Sequence, residues 1–459
     1  MNGSIEALID VKNKIKALEN DLSDSDRIGK IKELYSSSIE SAFESRDTDF
    51  ICKYITFLDD HNSSKAAYEV AERLNRLQLD CPSEFGTQDI AELNLSLAVV
   101  SENLSEFKRA QDCFSKALML YEKCGENESE ELKAKTAQCY LKFGLFYTYQ
   151  CGYSNASLYL TRAIEFFEEL AAKNPSEYNI RLSESLNGLS LLYTMIRMQA
   201  KVKPLLERAE SINAALPDNE ESRACSVETL LNFGKVYSSG DWHIKEDKQL
   251  FEAKEICEKL AELDGEKYKP FLAKVYFHIG LDYNGKREYD LAKDCFARSI
   301  EILKPFADSA KERYSYFLTF VYTELADYYL TCYDKETAEK YFNMAVEAAE
   351  PFVDSQFPKY NIMLGIGYLH FGTSYLVRRE RKLAEMYIKK AIDIFGPLSK
   401  MYPEQFAPIL ASCYLNYSLA VTDFNLIKKI KYLNKSIALA KTQPEDPACK
   451  EILEHFKVK

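Results

Sequence analysis

The sequence predicts an all-α protein, a solenoid of about nine tandem helix-turn-helix repeats closed at each end by helical caps. Three observations carry this. Small residues recur every 46 residues, aromatic residues recur at fixed offsets from them, and glycine (16) and proline (13) are scarce in a chain of 459. A fixed period decides architecture before any local pattern does, and low glycine and proline leave little material for hairpins of strands.

The caps come first. Residues 1–45 lie outside the period and read as N-terminal capping helices, residues 46–441 as the solenoid, and residues 442–459 as a C-terminal cap with a short helix from Pro447 to Phe456. Within the solenoid the small series is Cys52, Ala98, Gly144, Ser190, Gly234, Gly280, Ala326, Gly372 and Ser418, with one two-residue deletion between Ser190 and Gly234. Tyr147, Tyr193, Tyr237, Tyr283, Tyr329 and Tyr375 follow three residues later, and Tyr140, Tyr276, Tyr322, Tyr368 and Tyr414 precede by four. These offsets share one helix face.

A second helix follows in each unit, marked by small residues at Ala71, Ala117, Ala163, Ala209, Ala253, Ser299, Ala345 and Ala391. Bulky residues stand three positions before them: Tyr68, Phe114, Leu160, Leu206, Leu250, Phe296, Phe342 and Ile388. Each unit is therefore a helical hairpin in which small residues permit close crossing and rings fill the space beside it. Pro305, Pro351 and Pro397 also recur at 46 and should kink or end their helices. Glu246 stands where the second helix usually opens with alanine, which predicts a splayed hairpin there. The last unit offers Ile430, Asn434 and Ile437 at its second-helix positions, a looser match suited to a terminal repeat.

With these residues in view, the pattern resembles the tetratricopeptide repeat. Tyr276, Ile279, Gly280, Tyr283, Ala292, Phe296 and Ser299 occupy that family's successive signature positions. The usual unit is about 34 residues, so this is a long-period variant. The resemblance implies a right-handed superhelix whose first helices line a concave groove. Segments such as 170–178 and 260–268 resemble the connections of long-period members from bacterial signalling proteins.

Composition excludes several functions. A net charge of −12 opposes nucleic acid as a partner. The start, Met1 to Glu6, lacks the basic and apolar segments of a secretory signal, and no run of about 18 apolar residues occurs. The chain reads as soluble and cytoplasmic, without a membrane partner. Its twelve cysteines are dispersed without a CxxC pair, as befits reduced core residues rather than disulfides or zinc ligands.

Motifs of catalysis are missing. Gly280 to Arg287 approaches a phosphate loop, but Gly280 is a helix-packing residue and Arg287 replaces the magnesium-binding hydroxyl. His278 and His370 share a repeat position two units apart, a separation on the order of 20 Å that no metal bridges. The sole tryptophan, Trp242, is read as closing a hairpin end, with an exposed partner anchor as the alternative. Basic clusters at 378–382 and 428–431 are read as solvated surface, with an acidic-partner patch as the alternative. No enzyme, cofactor or metal is expected.

Function is then placed on the first-helix face opposite the hairpin core. Helical geometry selects Lys142, Leu145, Tyr149, Leu191, Met195, Lys235, Lys274, His278, Leu281, Phe320, Asp327, Ile366, His370 and Val377. Apolar residues among charges suit an amphipathic helix or extended peptide. The competing reading buries some of them between adjacent first helices. The expected function is an interaction scaffold that binds a protein or peptide segment in the groove. Its rival is a peptide-responsive regulator switched by ligand binding.

Overall fold

The computed structural model describes residues 2–22, 26–124, 129–196, 198–237, 246–354, 356–421 and 425–456. Among these residues there are 21 α-helices and no strand. Helices α1 (Asn2–Asn20) and α2 (Arg27–Ser45) form the first pair. Nine hairpins follow. They are α3 (Thr48–Asp60) with α4 (Ser64–Asp80), α5 (Thr87–Asn103) with α6 (Phe107–Cys124), and α7 (Glu130–Tyr149) with α8 (Tyr153–Lys173). Next come α9 (Pro175–Met195) with α10 (Gln199–Asn213), α11 (Glu220–Tyr237) with α12 (Glu246–Leu263), and α13 (Gly265–Gly285) with α14 (Tyr289–Ser309). The last three are α15 (Lys311–Thr331) with α16 (Lys335–Ala349), α17 (Lys359–Val377) with α18 (Arg381–Met401), and α19 (Pro403–Ala420) with α20 (Leu426–Ala440). A final helix, α21 (Pro447–His455), packs on α19 and α20.

All nine positions of the small series are buried. The reason is visible at the glycines. A Cβ added at Gly144 would stand 2.7 Å from Leu160, at Gly234 2.7 Å from Leu250, and at Gly280 2.6 Å from Phe296. The partner is in every case the bulky residue of the second helix, so the predicted crossing forms as the spacing requires. It forms at Gly234 as elsewhere, which shows no splaying of that crossing. The side chains of Lys235, Tyr237 and Glu246, and all of Trp242, lie outside the described residues.

Aromatic packing extends beyond the expected tyrosines. Tyr329 stacks on Tyr341 with ring centroids 5.5 Å apart, Tyr375 on Tyr387 at 5.6 Å, and Tyr147 meets Tyr159 at 5.9 Å. Tyr159, Tyr341 and Tyr387 all precede the bulky second-helix residue by one. Hairpin turns are equally regular. Ser105, Cys151, Arg287, Tyr333 and Arg379 are left-handed, with φ of 61–64°, each seven residues after its small position. The next amide then bonds back to the preceding helix, as from Gly152 to the Tyr147 carbonyl at 2.9 Å and from Glu380 to that of Tyr375 at 2.9 Å.

The register is corrected at both ends. In the first hairpin the left-handed residue is Asn62, so counting back seven puts Ile55, not Cys52, at the crossing, with Ala71 in the place of the bulky residue. Large and small have exchanged helices. In the last hairpin Ser436, not Ile437, is the buried residue, and its hydroxyl donates to the Ala411 carbonyl at 2.8 Å. Ser299 does the same to Ala273 at 2.7 Å. Ser436 follows Ser418 by 18 residues, one fewer than separates Gly280 from Ser299.

Proline behaves in two ways. Pro351 opens a short 3-10 turn after α16, ending that helix as expected, but Pro305 and Pro397 sit inside α14 and α18, which continue past them. Near a helix end the lost amide costs one bond, and packing of the buried Leu303, Ala307 and Leu398 offsets it.

The chain divides into two compact units, Met1–Tyr314 and Ser315–Lys459, a division the repeat pattern does not mark. None of the twelve cysteines forms a disulfide. No helix among the described residues is long and apolar enough to cross a membrane.

Candidate functional site

In the first unit the chain returns on itself. Arg313, in the first turn of α15, reaches the Asp59 carbonyl at the end of α3 and its carboxylate at 3.3 Å. Ser64 and Asn103 complete that carboxylate at 2.6 and 2.7 Å. Beside it, His61 Nε2 meets Asp264 at 2.9 Å while Nδ1 meets the Phe57 carbonyl at 2.7 Å. Asp264 also caps α13 by accepting from the Lys267 amide at 3.1 Å. Asn62 donates to the Glu266 carbonyl at 2.5 Å and accepts from the Tyr314 hydroxyl. Ser105 donates to the Glu312 carbonyl at 2.9 Å, and Arg27 pairs with Glu220. The first two hairpin turns thus close against the starts of α13 and α15.

This seam is electrostatically strained and then relieved. Burial pushes the Asp59 carboxyl up, and Arg313, Ser64 and Asn103 pull against it. Burial also opposes a charged His61, yet its bonds to Asp264 and the Phe57 carbonyl hold it above its ordinary value. Asp264 is desolvated but is held below the usual carboxylate range by His61 and the Lys267 amide.

The predicted groove residues of this unit differ in exposure. Lys142, Leu145, Tyr149, Leu191, His278 and Leu281 are half-buried, whereas Met195 and Lys274 are exposed. Lys274 reaches solvent yet has its pKa lowered by the surrounding protein, a desolvation that Arg313 reinforces and Glu228 opposes. Burial likewise raises the Tyr149 hydroxyl, with Glu228 and Glu102 adding to the effect. Glu102, Tyr149, Glu228, Lys274 and Arg313, on α5, α7, α11, α13 and α15, are therefore near enough to influence one another electrostatically.

Leu145 also serves packing between repeats, since a Cβ on Gly188 would stand 3.1 Å from it. The competing expectation thus holds in part at that residue. Glu102, Glu228 and Arg313 were not selected from the sequence. Glu228 could have been, because it sits six before Gly234 as Lys274 sits six before Gly280. Arg313 carried no repeat signal.

The remaining predicted residues belong to the second unit. Phe320, Asp327 and Ile366 are half-buried, while His370 and Val377 are exposed. Burial raises the Asp327 carboxyl, and His370, Ser374 and Arg378 counter it. Glu324, which the sequence reading passed over, sits one turn earlier on α15. Burial, reinforced by Asp327, pushes its carboxyl up to about 7.

No protein-family model matches the sequence, and no curated protein matches it. Solved structures do. A Rap protein complexed with competence and sporulation factor aligns with a TM-score of 0.52 at 15% identity, over 85% of this chain and 99% of its own. A signal transduction ATPase with a tetratricopeptide repeat sensor from Pyrococcus horikoshii aligns at 0.47 and 15% identity, over 85% and 55%. The human IFIT1 dimer with m7Gppp-AAAA aligns at 0.44 and 14% identity, over 93% and 95%. Nine helical hairpins, most of them with these signature residues, and the likeness in fold to the Rap protein show a helical-repeat fold of the tetratricopeptide type.

Proposed function

We propose that the first unit binds a segment of another polypeptide on its inner surface. The observation that carries the reading is that half-buried Tyr149 on α7 and exposed Lys274 on α13 both lie within the electrostatic influence of Glu228 on α11. Half-buried Leu191 and Leu281 and exposed Met195 supply apolar surface beside those charges. Such a lining fits a short peptide or helix better than a wholly polar ligand. The fold it shares with a Rap protein solved with a bound factor is compatible with this role.

A second reading, a ligand-switched regulator, rests on Arg313. That side chain holds Asp59 at the seam and also acts on Lys274 inside the unit. A ligand carboxylate drawn to Lys274 would compete for Arg313 and so act on the seam.

The test is a photo-crosslinker placed at Tyr149 in the full chain, expressed in its native host. A polypeptide adduct that disappears with Leu281→Glu, at unchanged helicity by circular dichroism, supports the reading. An RNA adduct, or none, overturns it. Phe320→Glu in the second unit asks separately whether the partner extends there.

A further inference from the structure

The second unit carries an uncovered apolar surface at its last hairpin, and repeat register shows what kind of element belongs there. In earlier hairpins, the residue six before the small position of the second helix serves the next repeat. Gln111 donates to the Tyr147 hydroxyl at 3.1 Å. Glu339 accepts from the Tyr375 hydroxyl at 2.8 Å. Glu385 accepts from the Tyr417 hydroxyl at 3.1 Å and from Lys428. Four residues earlier on α16, Lys335 bonds Glu380 of the following repeat at 2.8 Å. These two positions thus mark the face on which each successive hairpin stacks.

With Ser436 as the small residue of the last hairpin, the same positions are Ile430 and Leu426. Ile430 is aliphatic where the two preceding repeats have Glu339 and Glu385, and Leu426 where they have Lys335 and Arg381. Ile430 is 47% exposed, Leu426 60% and the adjacent Ile427 85%. Helix α21 covers only the other end of α20, where Cys449 and Ile452 pack with Ala411 and Ala440. Ala440 and Leu426 lie about 21 Å apart along the helix at 1.5 Å per residue, whereas the nine residues of α21 span about 13 Å.

Charge narrows the occupant. The charged residues of α20 are Lys428, Lys429, Lys431 and Lys435, and no Asp or Glu occurs from 425 to 444 in a chain of net charge −12. Two copies of this face would set lysine against lysine. Helices cover the equivalent positions elsewhere, so the site is shaped for a helix. We propose that the open end of α20 docks an acidic amphipathic helix of a partner protein, its apolar stripe on Leu426, Ile427 and Ile430 and its carboxylates toward Lys429 and Lys431.

The proposal is independent of ligand binding in the first unit. It is tested with the full chain and a fluorescein-labelled synthetic helix of about five turns, carrying leucines at i, i+3, i+4 and i+7 with glutamates flanking them. A second peptide keeps the glutamates but has serine for leucine. The expected result is saturable binding of the first peptide, at least about tenfold tighter than the second, and reduced about tenfold by Ile427→Ser with Ile430→Ser. That variant keeps every lysine, and circular dichroism checks its fold. Equal binding of both peptides, or unchanged affinity of the variant, overturns the proposal. So does concentration-dependent dimerisation in sedimentation that the variant abolishes, which makes the occupant a second copy. Adsorption to phosphatidylserine vesicles that the variant abolishes makes it a membrane surface and equally overturns the proposal.

Discussion

The guanidinium of Arg313 lies 3.3 Å from the carboxylate of Asp59, 254 residues earlier in the chain. Asp59 is almost wholly buried, so its charge depends on that partner. Replacement Arg313→Leu leaves a desolvated carboxylate with only Ser64 and Asn103 to satisfy it. The expected loss is about 3 kcal/mol in urea unfolding, with faster amide exchange in the turn after α3. Unaltered exchange at Asn62 and Ser63 would remove the pair from any role in closure.

His61 and Asp264 make the same seam sensitive to pH. The folded pKa of His61 is raised, so its contribution is complete below its ordinary value of 6.5 and is lost as pH rises through the raised value. Asp264 is lowered, so its share is present above the ordinary 3.8 and is lost as pH falls through the lowered value. Both contribute fully between about pH 4 and about pH 6.5. The stability gap between wild type and His61→Gln should therefore be larger near pH 5.5 than near pH 8.5. A gap independent of pH would sink this assignment.

Glu324 has the opposite kind of pH dependence from Asp264. Its folded pKa of about 7 lies above the ordinary 4.5, so the second unit loses stability as pH rises through that interval. Glu324→Gln cannot ionise and should be the more stable protein near pH 8, by on the order of 2 kcal/mol once its partial exposure is allowed for. The two should converge near pH 4. Thermal melts at the two pH values decide it, and identical curves at high pH would show that the carboxylate is comfortably solvated.

The hairpin crossing is the most local of these expectations. Gly280→Leu drives a side chain into Phe296, whose ring already lies 2.6 Å from the place of a Cβ. A cost of roughly 1 to 3 kcal/mol or more follows from overpacking. An unchanged melting curve would take Gly280 out of the crossing.

Nearest-neighbour structure was legible in the sequence because each repeat repeats it. Gly144 with Leu160 and Gly280 with Phe296 recur at one spacing, and nine examples average out local irregularity. The slips at Ile55 and Ser436 were not, since the one shows in the backbone at Asn62 and the other in the burial of Ser436. The seam was illegible for a different reason. Whether Asp59 meets Arg313 depends on small rotations summed over the repeats between them, and no pairwise pattern encodes that sum. The neighbours of Lys274 stood between these cases: repeat position marks Glu228 as its counterpart one unit earlier, but Arg313 carries no repeat signal.

Solenoids commonly lengthen by duplicating a unit, and most joints in this chain would accept one, since each hairpin asks only for the next. The contacts of His61 with Asp264 and Arg313 with Asp59 impose arithmetic on the first unit. One inserted or deleted hairpin between them would carry Asp264 and Arg313 past their partners by a whole repeat. The seam therefore counts: it holds the first unit to a set number of hairpins and confines evolutionary tinkering with its inner surface to exchanging side chains.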